Sequence, residues 1–235
     1  MLLETSGLMK RFGGVVAVNS VDLAIIEGEV FGLIGPNGAG KTTLINVISG
    51  QLRADGGAVR LAGADVTRLR PDQLARRGIA RTFQAIRLFK GLTVLENVRL
   101  GGFVRGGSPV RAQALLERMG LAVRANALAG ELAYGDQRRL EIARALAAEP
   151  KLLILDEPAA GMNPTESAAL RVLLRSLGAE GITTVLIEHD VRLVMGACDR
   201  VAVLSFGRKI AQGTPAEVQG DPAVRDAYLG SDEDA

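Results

Sequence analysis

The stretch Gly35-Pro36-Asn37-Gly38-Ala39-Gly40-Lys41-Thr42 fits the pattern G-x-x-x-x-G-K-[ST] at every fixed position, and few folds can use it. The physical reason is specific. Small residues let consecutive backbone N–H groups turn inward around an anion, while Lys41 reaches the β- and γ-phosphates and the Thr42 hydroxyl can ligate Mg²⁺. The pattern has this meaning between a strand and a helix. Val30-Phe31-Gly32-Leu33-Ile34 reads as a buried strand, and Thr42-Thr43-Leu44-Ile45-Asn46-Val47-Ile48 as a helix whose N-terminus faces the phosphates. A Gly-rich turn without a ligand is the alternative, and both flanks argue against it.

The chain has 235 residues, 48% of them hydrophobic, enough for one substantial core with a smaller inserted lobe. A net charge of +2, from 28 basic and 26 acidic residues, lacks the one-sided field of a nucleic-acid-binding chain. Aromatics at 3%, with no Trp, supply no stacking platform for single strands, so no nucleic-acid partner is expected. The single cysteine, Cys198, excludes an intrachain disulfide and suits a reducing compartment. Met1 to Ser6 lack the layout of a signal peptide, and no run approaches the roughly 18 to 20 apolar residues of a membrane span. Any membrane would be crossed by other chains.

Residues 1 to 34 read as short strands over Leu2 to Ser6, Val15 to Val18, Val21 to Ile26 and Val30 to Ile34. Phe12, set between Lys10-Arg11 and Gly13-Gly14, has no obvious core face and could stack on a base or cap the sheet edge. A short strand at Val59 to Leu61, a basic helix over Arg68 to Arg77 and a strand from Ile79 to Phe83 follow. That strand ends at Gln84, which could ligate Mg²⁺ or hold a water, although a lone glutamine is ordinarily a solvated loop residue.

Residues 86 to about 148 read as helical, with a capping box at Thr93-Val94-Leu95-Glu96 and a cap with N1 proline at Ser108-Pro109. A third helix is expected over Asp136 to Glu149, just after Leu132-Ala133-Tyr134-Gly135, which makes that tetrapeptide an anion contact. Lys151 to Pro158 is an apolar run ending in two carboxylates, costly unless a cation or water is served there. Asp156 is the natural Mg²⁺ partner and Glu157 the natural base for an attacking water. A helix over Pro164 to Leu177 and a strand over Thr183 to Ile187 lead to the only histidine, His189, at a carboxyl strand end where open α/β sheets bind ligands. A strand pair around Phe206-Gly207 and a helix capped by Thr214-Pro215-Ala216-Glu217 close the chain before the acidic tail Asp232-Glu233-Asp234, expected to fray.

In this order the motifs resemble the ATP-binding subunit of an ABC transporter over essentially the whole chain. The resemblance implies a RecA-like P-loop ATPase core, α/β in class, over residues 1–85 and 150–235, with an N-terminal antiparallel β-subdomain and a helical signature subdomain over 86–149. It implies ATP and Mg²⁺ as ligands. Phe12 matches the adenine-stacking aromatic, and Gly35, Pro36, Asn37, Gly38, Ala39, Gly40, Lys41, Thr42 and Thr43 the phosphate loop. Gln84 matches the Mg²⁺-ligating coupling glutamine, Asp156 the metal-associated aspartate beside Thr42, Glu157 the catalytic base and His189 the switch histidine. Ala133, Tyr134, Gly135 and Asp136 match the signature segment that caps ATP on the opposite subunit. Ala133 stands where the family usually has serine, and Asn163 where it usually has aspartate.

The finer likeness is to the ATPase subunits of branched-chain amino-acid importers, through 132 to 144, Pro158 to Pro164, Ile187 to Asp190 and Ala227-Tyr228-Leu229-Gly230; in that branch the alanine and asparagine are ordinary. The segment Val98 to Leu115 is shorter than in the usual member. The resemblance implies ATP hydrolysis coupled to import at the cytoplasmic face of the cell membrane, with permease subunits and a related ATPase as partners. A heterodimer is expected, with a homodimer as the alternative. Another cargo (urea uptake, lipopolysaccharide export) and a non-transport ATPase of the same family remain as rival readings.

Overall fold

The computed structural model describes residues 1–103 and 106–229. Gly230, the acidic tail and the middle of the short 98–115 segment lie outside the described residues. Strands β1 (Leu3–Phe12) and β2 (Val15–Ile25) form a long hairpin, and β3 (Val30–Ile34) runs into the phosphate loop and α1 (Lys41–Ile48). Next come β4 (Gly56–Leu61), β5 (Ala64–Asp65), α2 (Pro71–Arg76) and β6 (Ile79–Arg81), then the helices α3 (Val94–Gly101), α4 (Pro109–Arg118) and α5 (Tyr134–Leu146). The chain returns through β7 (Leu152–Asp156), α6 (Pro164–Ala179), β8 (Thr183–Ile187), α7 (Val191–Ala197), β9 (Arg200–Ser205) and β10 (Arg208–Gly213), and ends in α8 (Pro215–Gly220) and α9 (Pro222–Leu229).

Two sheets result, an antiparallel one in the order β2-β1-β4-β5 and a larger one in the order β10-β9-β3-β8-β7-β6. In the second, β9, β3, β8, β7 and β6 run parallel and β10 pairs antiparallel at the edge. Strands β3, β7 and β8 are buried at every position, which is why they read as unbroken apolar runs. Their side chains split by the pleat. Phe31, Leu33, Leu152, Ile154, Val185 and Ile187 face the core shared with α1 and the antiparallel sheet. Val30, Ile34, Leu153, Leu155 and Leu186 face the core shared with α6, α7 and the helices α3 to α5. Cys198 closes α7 in that second core, and burial pushes its thiol up to about 12.

Several local readings shift. The two strands expected over 15 to 26 are one, because Ser20 adopts φ +53° and the pairing with β1 slips past it, a bulge that keeps the ladder going. Strand β6 stops at Arg81, short of Phe83, and Thr82 makes the last ladder bond by donating to the Ile154 carbonyl at 2.9 Å. Helix α5 begins at Tyr134, inside the tetrapeptide expected to precede it, and ends at Leu146, three residues short of Glu149, which adopts φ +51°. Helix α7 was not foreseen, although Asp190 caps it by accepting from Arg192 and Leu193 N–H at 2.9 and 3.2 Å. The capping boxes at Thr93 and Thr214 form as read.

Candidate nucleotide-binding site

Register in the parallel sheet brings distant residues to one edge. Leu33 on β3 and Asp156 on β7 both pair with Ile187 on β8 between them. Gly35, Glu157 and His189 therefore emerge side by side from three adjacent carboxyl ends. Arg81 on β6 pairs with Ile154, which sets Gln84, three residues on, beside Glu157. A ligand at this edge meets all four segments, the position at which open α/β sheets bind.

The loop itself is held by close backbone approach. A Cβ on Gly35, at φ +148°, would stand 2.1 Å from the Leu204 carbonyl oxygen, and one on Gly40, at φ +98°, 2.3 Å from that of Ala17. Neither position admits a side chain. The β9–β10 turn braces the loop from outside, since Gly207 N–H donates to the Ala39 carbonyl at 3.0 Å and Asn19 N–H to the Gly207 carbonyl at 2.8 Å. Pro36 accepts from Ala39 N–H, while Asn37 and Gly38 project into solvent. Gly40 is the N-cap of α1 and supplies no side-chain cap, and no acid stands in the first turn, so the helix N–H groups of Lys41, Thr42 and Thr43 are left for an anion.

Lys41 lies back across the loop, its Nζ donating to the carbonyls of Gly35 at 2.6 Å and Pro36 at 3.0 Å. Burial pulls its ammonium down from the ordinary lysine range, while Glu157 and Asp156 pull it back up. The two acids are thus within electrostatic reach of the loop lysine.

Asp156 and Glu157 sit in different environments. Asp156 is buried, and its Oδ2 takes a hydrogen bond from Arg81 Nη2 at 2.7 Å, both side chains being at most 7% exposed. Arg81 also donates to Asn46 Oδ1 at 2.6 Å and Ser49 Oγ at 2.9 Å, so one guanidinium ties β6 and β7 to α1. Glu157 is half-buried at φ +49°, a conformation bulky residues rarely hold, which turns it off the strand line. Its Oε2 accepts from Gln84 Nε2 at 2.9 Å. His189 is 66% exposed, and its Nδ1 stands 3.9 Å from Oε2 of the buried Glu188. The other oxygen of Glu188 accepts from Ala159 N–H at 2.8 Å, and burial pushes its carboxyl above the usual range. Among the described residues no cluster of three acids, histidines or cysteines could hold a metal alone. One free oxygen of Asp156, the exposed Thr42 hydroxyl and the Gln84 amide fit a Mg²⁺ that arrives with phosphates.

The signature segment lies elsewhere in the chain. Ala133 caps α5 without a side-chain bond, leaving the N–H groups of Gly135 and Asp136 uncapped, while the Asp136 carboxylate is gripped by Arg139. A Cβ on Gly135 would stand 2.6 Å from Glu166 Oε1 of α6, and one on Gly161 2.9 Å from the Tyr134 ring. These neighbours belong to α6 and the loop before it and not to the phosphate loop. Asn163 caps α6, accepting from Glu166 N–H at 3.0 Å. Phe12 is 48% exposed at the end of the β1–β2 hairpin, where it pairs with Val15, two residues from the Ala17 carbonyl that touches Gly40.

Sequence reasoning missed Arg81, Arg138 and Glu188. Arg81 had a signal, since a buried aspartate needs a cation and Arg81 is the basic residue within an otherwise apolar strand. Glu188 and Arg138 carried none beyond their neighbours.

The fold and this edge define a P-loop nucleotide-binding cassette. Residues 18–160 match the sequence model of the ABC transporter family, and residues 208–234 that of the branched-chain amino acid ATP-binding cassette transporter. The chain is 46% identical to the high-affinity branched-chain amino acid transport ATP-binding protein LivG of Salmonella typhimurium, covering 97% of this chain and 98% of that one. A crystal structure of an ABC transporter's ATP-binding cassette in its ADP conformation superposes with TM-score 0.88 at 36% identity, over 97% of this chain and 98% of the other. A dimeric cassette in a post-hydrolysis state, bound to ADP and Pi, superposes with TM-score 0.83 at 28% identity, over 91% of this chain and 99% of the other. The chain belongs to the ABC transporter family, as one of its ATP-binding subunits.

Proposed function

We propose that this chain hydrolyses ATP to energise import of branched-chain or related amino acids through separate membrane subunits. The observation that carries the reading is the single sheet edge at which the phosphate loop, Gln84, Glu157 and His189 meet. The likeness to LivG supports the cargo class. Among the described residues no helix is long and apolar enough to cross a membrane, so attachment at the cytoplasmic face would run through the permease subunits.

In this reading Phe12 stacks on the base, and the loop N–H groups with Lys41 hold the β- and γ-phosphates. Thr42, Gln84 and Asp156 would hold Mg²⁺, which would supply charge neutralisation at those phosphates. Glu157, aimed by the Gln84 amide, accepts the proton of the attacking water, and His189 contacts the γ-phosphate. These residues position and stabilise charge around a loose phosphoryl transition state. Lys41→Ala removes the side-chain charge from the phosphates and is expected to weaken ATP binding by roughly tenfold to a hundredfold, taking a charge-assisted bond as about 1.5 to 3 kcal/mol. Unchanged affinity in a direct binding assay would contradict this.

The uncapped α5 N-terminus at Ala133 to Asp136 packs against α6, away from its own loop, which supports a site completed by a second ATPase subunit. A heterodimer with a related subunit is favoured, because Ala133 lacks the usual hydroxyl. The test is reconstitution with the permease and partner subunits in vesicles. ATP turnover should be low for the purified chain and rise with its partners, and leucine, isoleucine or valine should accumulate inside. Ala133→Ser should change turnover only at the site where this chain caps its partner's ATP. Full activity from a stable monomer would sink the shared site, and uptake of urea or movement of lipopolysaccharide in place of amino acids would reassign the cargo.

A further inference from the structure

Gln84 occupies a segment without regular structure, from Phe83 to Lys90, beyond the last ladder bond of β6 at Thr82. Its side chain nevertheless meets Glu157 at 2.9 Å. The restraint comes from Arg138, in the second turn of α5. This guanidinium is 2% exposed, and its Nη1 donates to the Phe83 carbonyl at 2.8 Å and to Glu141 Oε2 at 3.3 Å. Its Nη2 donates to the Gln84 carbonyl and, at 3.0 Å, to the Tyr134 hydroxyl. Glu141 completes the clamp by accepting from Arg87 N–H at 3.1 Å. Two adjacent carbonyls are thus gripped by one planar fork, a geometry that lysine cannot reproduce.

A buried guanidinium is costly to desolvate, and its contribution to stability need not exceed that of an apolar pair. A specific set of acceptors points instead to a placement role. Here the set includes the backbone of the residue that aims Glu157 and the hydroxyl of Tyr134 at the first position of α5. Tyr134 in turn lies against Gly161, in the loop that leads from Glu157 to α6. One side chain therefore connects the N-terminus of α5 to the group that orients the base.

We propose that Arg138 is a positioning residue for ATP hydrolysis, fixing Gln84 against Glu157 and making that alignment depend on where the N-terminus of α5 sits. The proposal rests on the reading of Glu157 as the base and of the α5 N-terminus as the partner-facing contact. A displacement of α5 by the partner's nucleotide would then reach this chain's own Glu157 through the Phe83 and Gln84 carbonyls, without passing through the phosphate loop.

The test separates placement from packing. Arg138→Met with Glu141→Leu replaces the buried ion pair by an apolar pair but leaves the Phe83 and Gln84 carbonyls and the Arg87 N–H without these partners. The melting temperature in the assembled complex is therefore expected to fall by about 10 °C or less, and rates are compared well below it. A small misplacement of the base should still lower kcat by about tenfold to a hundredfold. KM for ATP should remain within about twofold, because the phosphate loop is untouched. Gln84→Ala should cost much less in this background than in wild type, since the two changes break one chain of contacts. Arg138→Lys keeps the charge beside Glu141 and stays soluble if the apolar pair does not, and it too should lose kcat severalfold at constant KM. Wild-type kcat in Arg138→Lys or in the double variant would overturn the proposal, as would full additivity with Gln84→Ala. Failure of the wild-type complex to hydrolyse ATP, or an unaffected rate in Glu157→Gln, would overturn the underlying reading instead.

Discussion

Glu157→Gln is expected to leave ATP binding intact and, if Glu157 is the base, to slow hydrolysis in the assembled complex by about two to four orders of magnitude, the usual contribution of a positioned general base. The amide keeps the size of the carboxylate, and its oxygen can still accept the bond that Gln84 Nε2 gives to Glu157 Oε2 at 2.9 Å. The left-handed backbone at this position, φ +49°, is equally strained for either residue, so the fold is not asked to change. What the amide cannot do is take a proton from water. Nucleotide affinity measured by direct titration should therefore match wild type while single-turnover hydrolysis collapses. A variant that hydrolyses at the wild-type rate would remove Glu157 from the role of base and leave His189 to be tested in its place.

Arg81→Ala is expected to destabilise the chain by about 3 to 5 kcal/mol, the cost of leaving one member of a buried ion pair without its partner. The Asp156 side chain is 5% exposed and cannot turn to bulk water. Asn46 and Ser49 lose their donor at the same time, and with it the strap between α1 and the sheet. In a chain of this size a loss of that magnitude lowers the melting temperature by roughly 10 °C. The loss should persist in saturating salt, because the pair is shielded from screening. Arg81→Lys should recover part of it, since an ammonium reaches Asp156 but cannot serve three acceptors. A change below about 1 kcal/mol in urea unfolding, the range of a surface pair, would show that Asp156 finds another partner.

The phosphate loop was legible because its chemistry is local. Gly35, Gly38 and Gly40 take left-handed or extended backbone that the loop requires, and Lys41 is adjacent in sequence to the helix it opens. The capping boxes at Thr93 and Thr214 were legible for the same reason, each closing over three residues. Strands β3, β7 and β8 declared themselves as apolar runs because both faces are covered. Element ends were less legible. The end of β6 is followed by bonds to another segment, Arg138 donating to the Phe83 and Gln84 carbonyls just beyond it.

Residue by residue, the chain stated which groups could hold a nucleotide, since phosphate cradles, strand-end acids and helix caps are written within a few positions of one another. It did not state how those groups are held. Arg81 and Asp156 lie 75 residues apart, Arg138 and Gln84 54 apart, and Glu188 meets the Ala159 N–H across 29. Each partnership is decided by sheet register and by which helix covers which strand end, and burial then makes it obligatory, because a carboxylate or guanidinium taken out of water needs a partner wherever the fold supplies one.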